Sequence, residues 1–219
     1  DNFATLVDAV AEGRNIFMRI KHAIKYLLSC NIGEVFYVIF SLIFNLPLLT
    51  PIQLLYINVV TDGLPAISFA FSPGVERSEK MKKDSGFLNT ADGLYLFVIG
   101  AVGALLAGIF GFFGKNISYI FTIMVFFQQF ILVDLFIGKR EFVKSLKYLF
   151  SPVFISAFLL PFVLHPLVIY HPLFQKAFGL TAVPLAGLFE AFVYSFIAFL
   201  FARFLGQVRN RLKYSFLHT

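Results

Sequence analysis

Asn58-Val59-Val60-Thr61-Asp62-Gly63-Leu64-Pro65 lies inside an apolar run that extends over residues 52–71. A helix needs about 20 apolar residues to cross the hydrocarbon of a bilayer, and this run meets that length. It therefore sets an amide, a hydroxyl and a carboxylate in apolar surroundings. Ionisable side chains inside a span are costly and mark ion or substrate paths. Asn58, Thr61 and Asp62 stand at i, i+3 and i+4, so on a helix they share one face. Gly63 loosens a helix, and Pro65 removes a backbone donor and crowds the preceding turn. The expectation is a helix broken at Gly63–Pro65, with freed carbonyls beside the polar side chains. Discontinuous, oxygen-rich helices of that kind hold ions in transport proteins, where irregular backbone lines a protein-enclosed cavity.

The rest of the chain agrees with a membrane setting. Of its 219 residues, 59% are hydrophobic and 14% charged, against about 25% charged in a soluble domain. The single cysteine, Cys30, excludes an intrachain disulfide and a multi-cysteine metal site. The net charge of +6 is read as membrane orientation, not as a nucleic-acid partner. The chain opens without Met or a signal-peptide pattern, which is expected of a piece of a longer protein.

Six apolar spans follow one another, at residues 26–44, 52–71, 94–113, 117–137, 153–170 and 183–204. The expected fold is an all-α membrane protein with six transmembrane helices embedded in the lipid bilayer. Six spans put both ends on one side. Of the Lys and Arg residues, all but Lys115 and Lys176 then fall on that side. The positive-inside rule makes it the cytosol, so both termini are expected to be cytosolic. Residues 1–25 are amphipathic and basic, and are read as a docking segment and stalk helix running into the membrane. Residues 26–71 form the ion-binding helix pair, and residues 72–92 a polar cytosolic loop. Residues 93–219 hold four supporting spans and a basic tail. Small residues at Gly100, Gly103, Gly108 and Gly111 allow close helix packing.

Glu34, Asp62, Asp134 and Glu190 are the carboxylates within spans. In the first span Asn31 and Glu34 share a face at i, i+3. Set against Asn58, Thr61 and Asp62, that face gives five oxygen-bearing side chains with two negative charges. Oxygen-only ligation suits hard cations, and calcium takes six to eight oxygens in a flexible shell. Manganese is also hard enough to fit. Gln128 or Gln129 could add an amide from the fourth span. Interhelical hydrogen bonding is the alternative role for Asn31, Asn58 and the two glutamines. Asp134, a turn from the cytosolic end, is expected to be solvated there. Glu190 is expected to lie outside the site, His165 to bond freed backbone beside Pro166, and Cys30 to serve packing.

The segments Ser29-Cys30-Asn31-Ile32-Gly33-Glu34-Val35, Leu46-Pro47, and Pro51 to Ala66 closely resemble the fifth and sixth transmembrane helices of type II P-type ATPases. The nearest branch is that of the sarco/endoplasmic-reticulum-type calcium pumps and their prokaryotic relatives. Asp1-Asn2-Phe3-Ala4-Thr5 with Glu12-Gly13-Arg14 resembles the end of that family's phosphorylation domain and its stalk. The likeness is specific over residues 1–72 and topological beyond, where four more helices follow. It implies Asn31 and Glu34 as ligands from the fifth helix and Asn58, Thr61 and Asp62 from the sixth, with Asp62 bridging two ions where a pump carries two. Gly33, Gly63 and Pro65 are the hinge positions. The family's eighth helix often contributes a glutamate. The corresponding position here is Gln129, with Gln128 as the register alternative, so that charge is missing.

The resemblance further implies that ATP and magnesium are bound by N-terminal pump domains, which would be this portion's partners. No Asp-Lys-Thr-Gly-Thr or Thr-Gly-Glu-Ser motif is present in residues 1–219. The expected function is the cation-binding membrane portion of an ATP-driven pump that exports calcium from the cytosol. The alternative is a standalone six-span protein without ATPase activity, acting as a passive cation pathway or partner subunit. A secondary transporter fits less well, because the ligand motif is not repeated in the last four spans.

Overall fold

A computed structural model describes residues 2–72, 88, 90–137 and 149–216. Helix α1 (Asn2–Phe44) is unbroken. At 1.5 Å per residue it measures ~65 Å, about twice the hydrocarbon thickness. The amphipathic start and the first span are thus one continuous rod. It stops at Asn45, which takes the left-handed φ of 52° that asparagine tolerates.

The second span begins at α2 (Pro51–Tyr56). Thr50 caps it, accepting from the Gln53 N–H while the Gln53 side chain accepts from the Thr50 N–H. Pro51 occupies the first turn, where a missing donor costs nothing. The helix then widens to a π-helix over Ile57–Gly63, resumes as α3 (Leu64–Ser68) and tightens to a 3₁₀ turn over Phe69–Phe71. The interruption expected at Gly63–Pro65 thus takes another form. The chain does not unwind there, and Gly63 keeps a right-handed φ of −64°. Instead the hydrogen-bond register slips by one residue, as in the bond from the Leu64 N–H to the Val59 carbonyl.

Four further spans follow in α4 (Thr90–Phe112), α5 (Ile117–Ile137), α6 (Pro152–Tyr170) and α8 (Leu185–Phe216), with the short α7 (Pro172–Phe178) between the last two. Six helices are long and apolar enough to cross a membrane, and the described residues are otherwise helix, turn and coil. Helix α5 is the axis of the bundle, buried along nearly its whole length. One apolar cluster joins Tyr37, Ile57, Ile120, Phe121 and Ile169; a second joins Tyr26, Phe69, Ile131, Phe136 and Phe199. Helices α1 and α4 cross at Gly33 and Gly100. A Cβ on Gly100 would stand 2.9 Å from the Gly33 nitrogen, so only glycine permits this approach.

Two ion-paired clusters tie the helices together at one end. Lys21 and Lys25 of α1 both meet Asp92 of α4, with Lys21 Nζ 3.1 Å from the carboxylate. Arg203 of α8 lies 2.9 Å from Asp134 of α5, and Tyr95 of α4 donates to the same carboxylate at 2.8 Å. Asp134 is therefore clamped and largely enclosed, not solvated as its position in the sequence suggests. Most of the polar loop after the second span, and Lys139, Arg140, Lys144 and Lys147, lie outside the described residues.

Candidate cation site

Helix α1 turns one stripe toward the second span. Tyr26, Cys30 and Glu34, at i, i+4 and i+8, are all buried on it. The π-helical stretch runs antiparallel beside them and carries Asn58, Thr61 and Asp62. Glu34 sits at the centre of the hydrogen bonds that result. Asn58 Nδ2 donates to its Oε2 at 3.1 Å, and Gln128 Nε2 of α5 donates to its Oε1 at 3.2 Å. The second amide proton of Asn58 goes to the Leu54 carbonyl at 2.9 Å. With both protons used, the Asn58 Oδ1 is left to accept or to ligate. The Thr61 hydroxyl lies 2.5 Å from Gln128 Oε1 and 2.8 Å from the Ile57 carbonyl, and shares its one proton between them.

Pro65 explains the next contact. In α geometry its N–H would bond the Thr61 carbonyl, and proline has none. The Tyr26 hydroxyl donates to that carbonyl instead. The π-segment is thus held from outside by a side chain of α1.

Asp62 is 1% exposed, and neither carboxylate oxygen has a hydrogen-bond partner among the described residues. Its polar neighbour is the Cys30 thiol, a weak donor. Among the described residues neither Glu34 nor Asp62 has a Lys or Arg partner, unlike Asp92 and Asp134. A small cavity of about 20 Å³, room for one water, borders Ser29, Cys30, Gly33 and Gln128.

Of the residues expected at the site, Glu34, Asn58 and Thr61 converge in one network, and Asp62 adjoins it. Asn31 is exposed and stands outside that network, and Asn58, within it, is also exposed. The fourth-span amide that reaches the cluster is that of Gln128. Gln129 is fully buried, and neither of its amide atoms has a partner among the described residues. Gly33 lies at the α1–α4 crossing, while Gly63 and Pro65 bound the π-segment. Among the described residues, no three His, Cys, Asp or Glu side chains form a ready metal cage. The donors are instead two carboxylates with amide, hydroxyl and carbonyl oxygens, a set matched to a hard cation.

Tyr26 is a member of the cluster that the sequence reading did not include, while Cys30, expected to serve packing, lies in the apolar cluster with Phe69 and Ile131. The available signal for Tyr26 was its spacing of eight residues from Glu34, which puts both on one helix face. His165 is fully buried, as expected of a structural residue, but its Nε2 meets the Thr122 hydroxyl at 2.9 Å, not freed backbone. Glu190 pairs with Lys115 at 3.5 Å and accepts from Tyr119 at 3.2 Å, away from the cluster.

Comparison with known proteins bears on the family of the chain. The family model described as "Cation transporting ATPase, C-terminus" matches residues 46–207. A calcium-transporting ATPase of Bacillus subtilis is 34% identical over 198 residues, covering 84% of this chain and 22% of that protein. The endoplasmic reticulum-type calcium-transporting ATPase 2 of Arabidopsis thaliana is 36% identical over 125 residues, 55% of this chain and 12% of the relative. A calcium-transporting ATPase of Plasmodium falciparum is 40% identical over 115 residues, 50% of this chain and 9% of the relative. The chain spans less than a quarter of the length of each. Six membrane-length helices, an oxygen-rich cluster between the first two and a family match over most of the sequence lead to one assignment: the chain belongs to the cation-transporting ATPase family and corresponds to its C-terminal membrane region.

Proposed function

We propose that this chain is the ion-binding membrane portion of an ATP-driven P-type pump that moves calcium out of the cytosol. The observation that carries the reading is Asp62, a carboxylate buried in a membrane span with no basic partner among the described residues, beside a second carboxylate and several neutral oxygens. A charge so placed is stable only with a counter-charge, and a transported cation supplies it. Glu34, Asn58, Thr61 and Asp62 are the ligands, with Asn31 as a fifth. The fourth-span position falls to Gln128 in preference to Gln129, because its amide meets Glu34 and Thr61. The names of the relatives favour calcium; manganese, similarly hard, is the competing ion.

ATP and magnesium would be bound by N-terminal pump domains. Phosphorylation there would tilt α1, whose continuous rod reaches the cluster. Since α1 carries Asn31 and Glu34, its displacement pulls one part of the ligand set from the other and lowers affinity. The distribution of Lys and Arg supports cytosolic termini.

The test is cation-stimulated ATPase activity of the full-length gene product in detergent, titrating calcium, manganese, magnesium, sodium and potassium in turn. Stimulation by micromolar calcium, abolished in Asp62→Asn, is the expected result. Retained stimulation at normal affinity in that variant would refute the site. Activation by another ion would keep the site and change the substrate.

A further inference from the structure

Gln128 and Gln129 are adjacent on α5 and point about 100° apart around its axis. The amide of Gln128 reaches the cluster, bonded to Glu34 and Thr61, while that of Gln129 has no partner among the described residues. The rotation of α5 therefore decides which glutamine meets the cation. Apolar burial does not fix that rotation, because the helix is apolar and enclosed on every side. Lipid tails are as apolar as its side chains, so the hydrophobic effect prefers no face of a membrane helix. Polar contacts and the fit of side chains must set it.

Two polar ties hold α5, and Thr122 and Asp134, the residues they hold, each lie six residues from Gln128. On one side, Thr122 meets His165 of α6. The Thr122 hydroxyl proton goes to the Ser118 carbonyl at 2.7 Å, so the imidazole Nε2 is the donor in its 2.9 Å contact with Thr122. Thr122 and Gln129 are seven residues apart and so share a helix face. The bond to His165 keeps that face, and Gln129 with it, turned away from the cluster. On the other side, Asp134 is held from two helices, by the Tyr95 hydroxyl of α4 at 2.8 Å and by Arg203 of α8 at 2.9 Å. Both ties are enclosed, with His165 0% exposed and the Asp134 side chain 11%. A rotation large enough to exchange the two glutamines breaks both.

We propose that His165 and Asp134 are positioning residues of the cation site, which pin α5 on either side of Gln128 and so present Gln128, not Gln129, to Glu34 and Thr61. The proposal rests on the reading of that cluster as a cation site. Both residues act through the helix and not on the ion. An α-helix is stiff, so a twist held at two points is held between them. Without the ties, rotation is left to apolar fit such as that of the Phe127 ring against Gly103. The helix then also populates orientations in which the Gln128 amide leaves Glu34 and the Gln129 amide approaches.

The test uses the full-length gene product in detergent, without ATP. Calcium affinity is measured by equilibrium binding with and without Gln128→Leu, and with and without Gln129→Leu. The comparison is made in the natural protein and in the double variant His165→Phe with Asp134→Leu. In the natural protein Gln128→Leu is expected to lower the affinity about tenfold, and Gln129→Leu less than about twofold. In the double variant the loss from Gln128→Leu is expected to shrink below about threefold, and a loss of more than about threefold to appear at Gln129→Leu. General loosening of the fold would lower every affinity and leave the pattern in place, so the exchange reports rotation. His165→Phe and Asp134→Asn, each alone, carry the same comparison at smaller amplitude if the double variant does not fold. An unchanged pattern in variants that bind calcium overturns the proposal and gives the rotation to packing. So does a Gln128→Leu without effect in the natural protein, or a loss of its effect in the variants with no gain at Gln129. Calcium binding abolished by each single variant also overturns it, because the ties would then be structural requirements. Calcium binding by Asp62→Asn equal to that of the natural protein would instead bring down the underlying site.

Discussion

Glu34 gives the sharpest test of the cluster at the scale of single residues. Both its oxygens accept from amide donors, Asn58 and Gln128. In Glu34→Gln one of those oxygens becomes an NH₂ group facing another NH₂, so a hydrogen bond is lost together with a charge. The apparent calcium affinity of the full-length protein is expected to fall ~10–100-fold, read from the calcium dependence of ATPase activity. Glu190→Gln is the matched control. Its carboxylate pairs with a half-exposed Lys115, and such pairs contribute little, so the calcium dependence should not move. Tyr26→Phe asks a different question. It strips the donor from the Thr61 carbonyl, which Pro65 has already deprived of its helical partner. Leaving that buried group unsatisfied costs ~1–3 kcal/mol, expected as a lower melting temperature in detergent. An unchanged melting temperature would mean that the π-segment holds itself without α1.

At the scale of elements, the spans and the polar face of the second helix were readable because their signals are local. Apolar runs of membrane length, and Asn58, Thr61 and Asp62 at helical spacing, need no knowledge of neighbours. The π-helical form of residues 57–63 was not readable, since it depends on how the Thr61 carbonyl finds the Tyr26 hydroxyl across a helix interface. The choice between Gln128 and Gln129 was not readable for another reason. Helix α5 is apolar and buried on every side, so its sequence carries no amphipathic phase to say which residue faces α1. Glycines behave likewise: Gly13 and Gly100 look equivalent in sequence, but their surroundings differ. A Cβ on Gly13 meets nothing within 4 Å, and one on Gly100 meets Ile32 Cγ2 at 2.7 Å and the Gly33 nitrogen at 2.9 Å. Gly13→Ala should stabilise α1 by roughly 0.5–1 kcal/mol, as alanine does in a helix interior. Gly100→Ala should destabilise by about 1–3 kcal/mol through overpacking of the α1–α4 crossing. Thermal unfolding of the two variants in one detergent decides the matter. Equal shifts would mean that the crossing is looser than the backbone contact indicates.

At the scale of the whole molecule, orientation in the bilayer is set by charge, because Lys and Arg are retained on the cytosolic side as spans insert. Among the described residues, Lys115 and Lys176 stand at the end opposite Lys21, Lys25 and Arg203. Lys176 lies on α7, exposed, between the fifth and sixth spans; Leu88, 38% exposed, lies between the second and third. An odd number of crossings separates the two, so they belong on opposite faces of the membrane. Cysteine substitution at each site makes this measurable. The native Cys30, 2% exposed, is shielded from a bulky reagent. In sealed vesicles with the non-cytosolic face outward, a membrane-impermeant maleimide is expected to label Lys176→Cys of the full-length protein directly. Leu88→Cys should react only after the vesicles are permeabilised. Labelling of both without permeabilisation would break the six-span count, since it needs an even number of crossings between them. Reversed labelling would keep the count and invert the protein, and would place the basic stalk of α1 on the far side from ATP. A pump driven from the cytosol could not work in that arrangement, so this one experiment bears on topology and on the proposed coupling together.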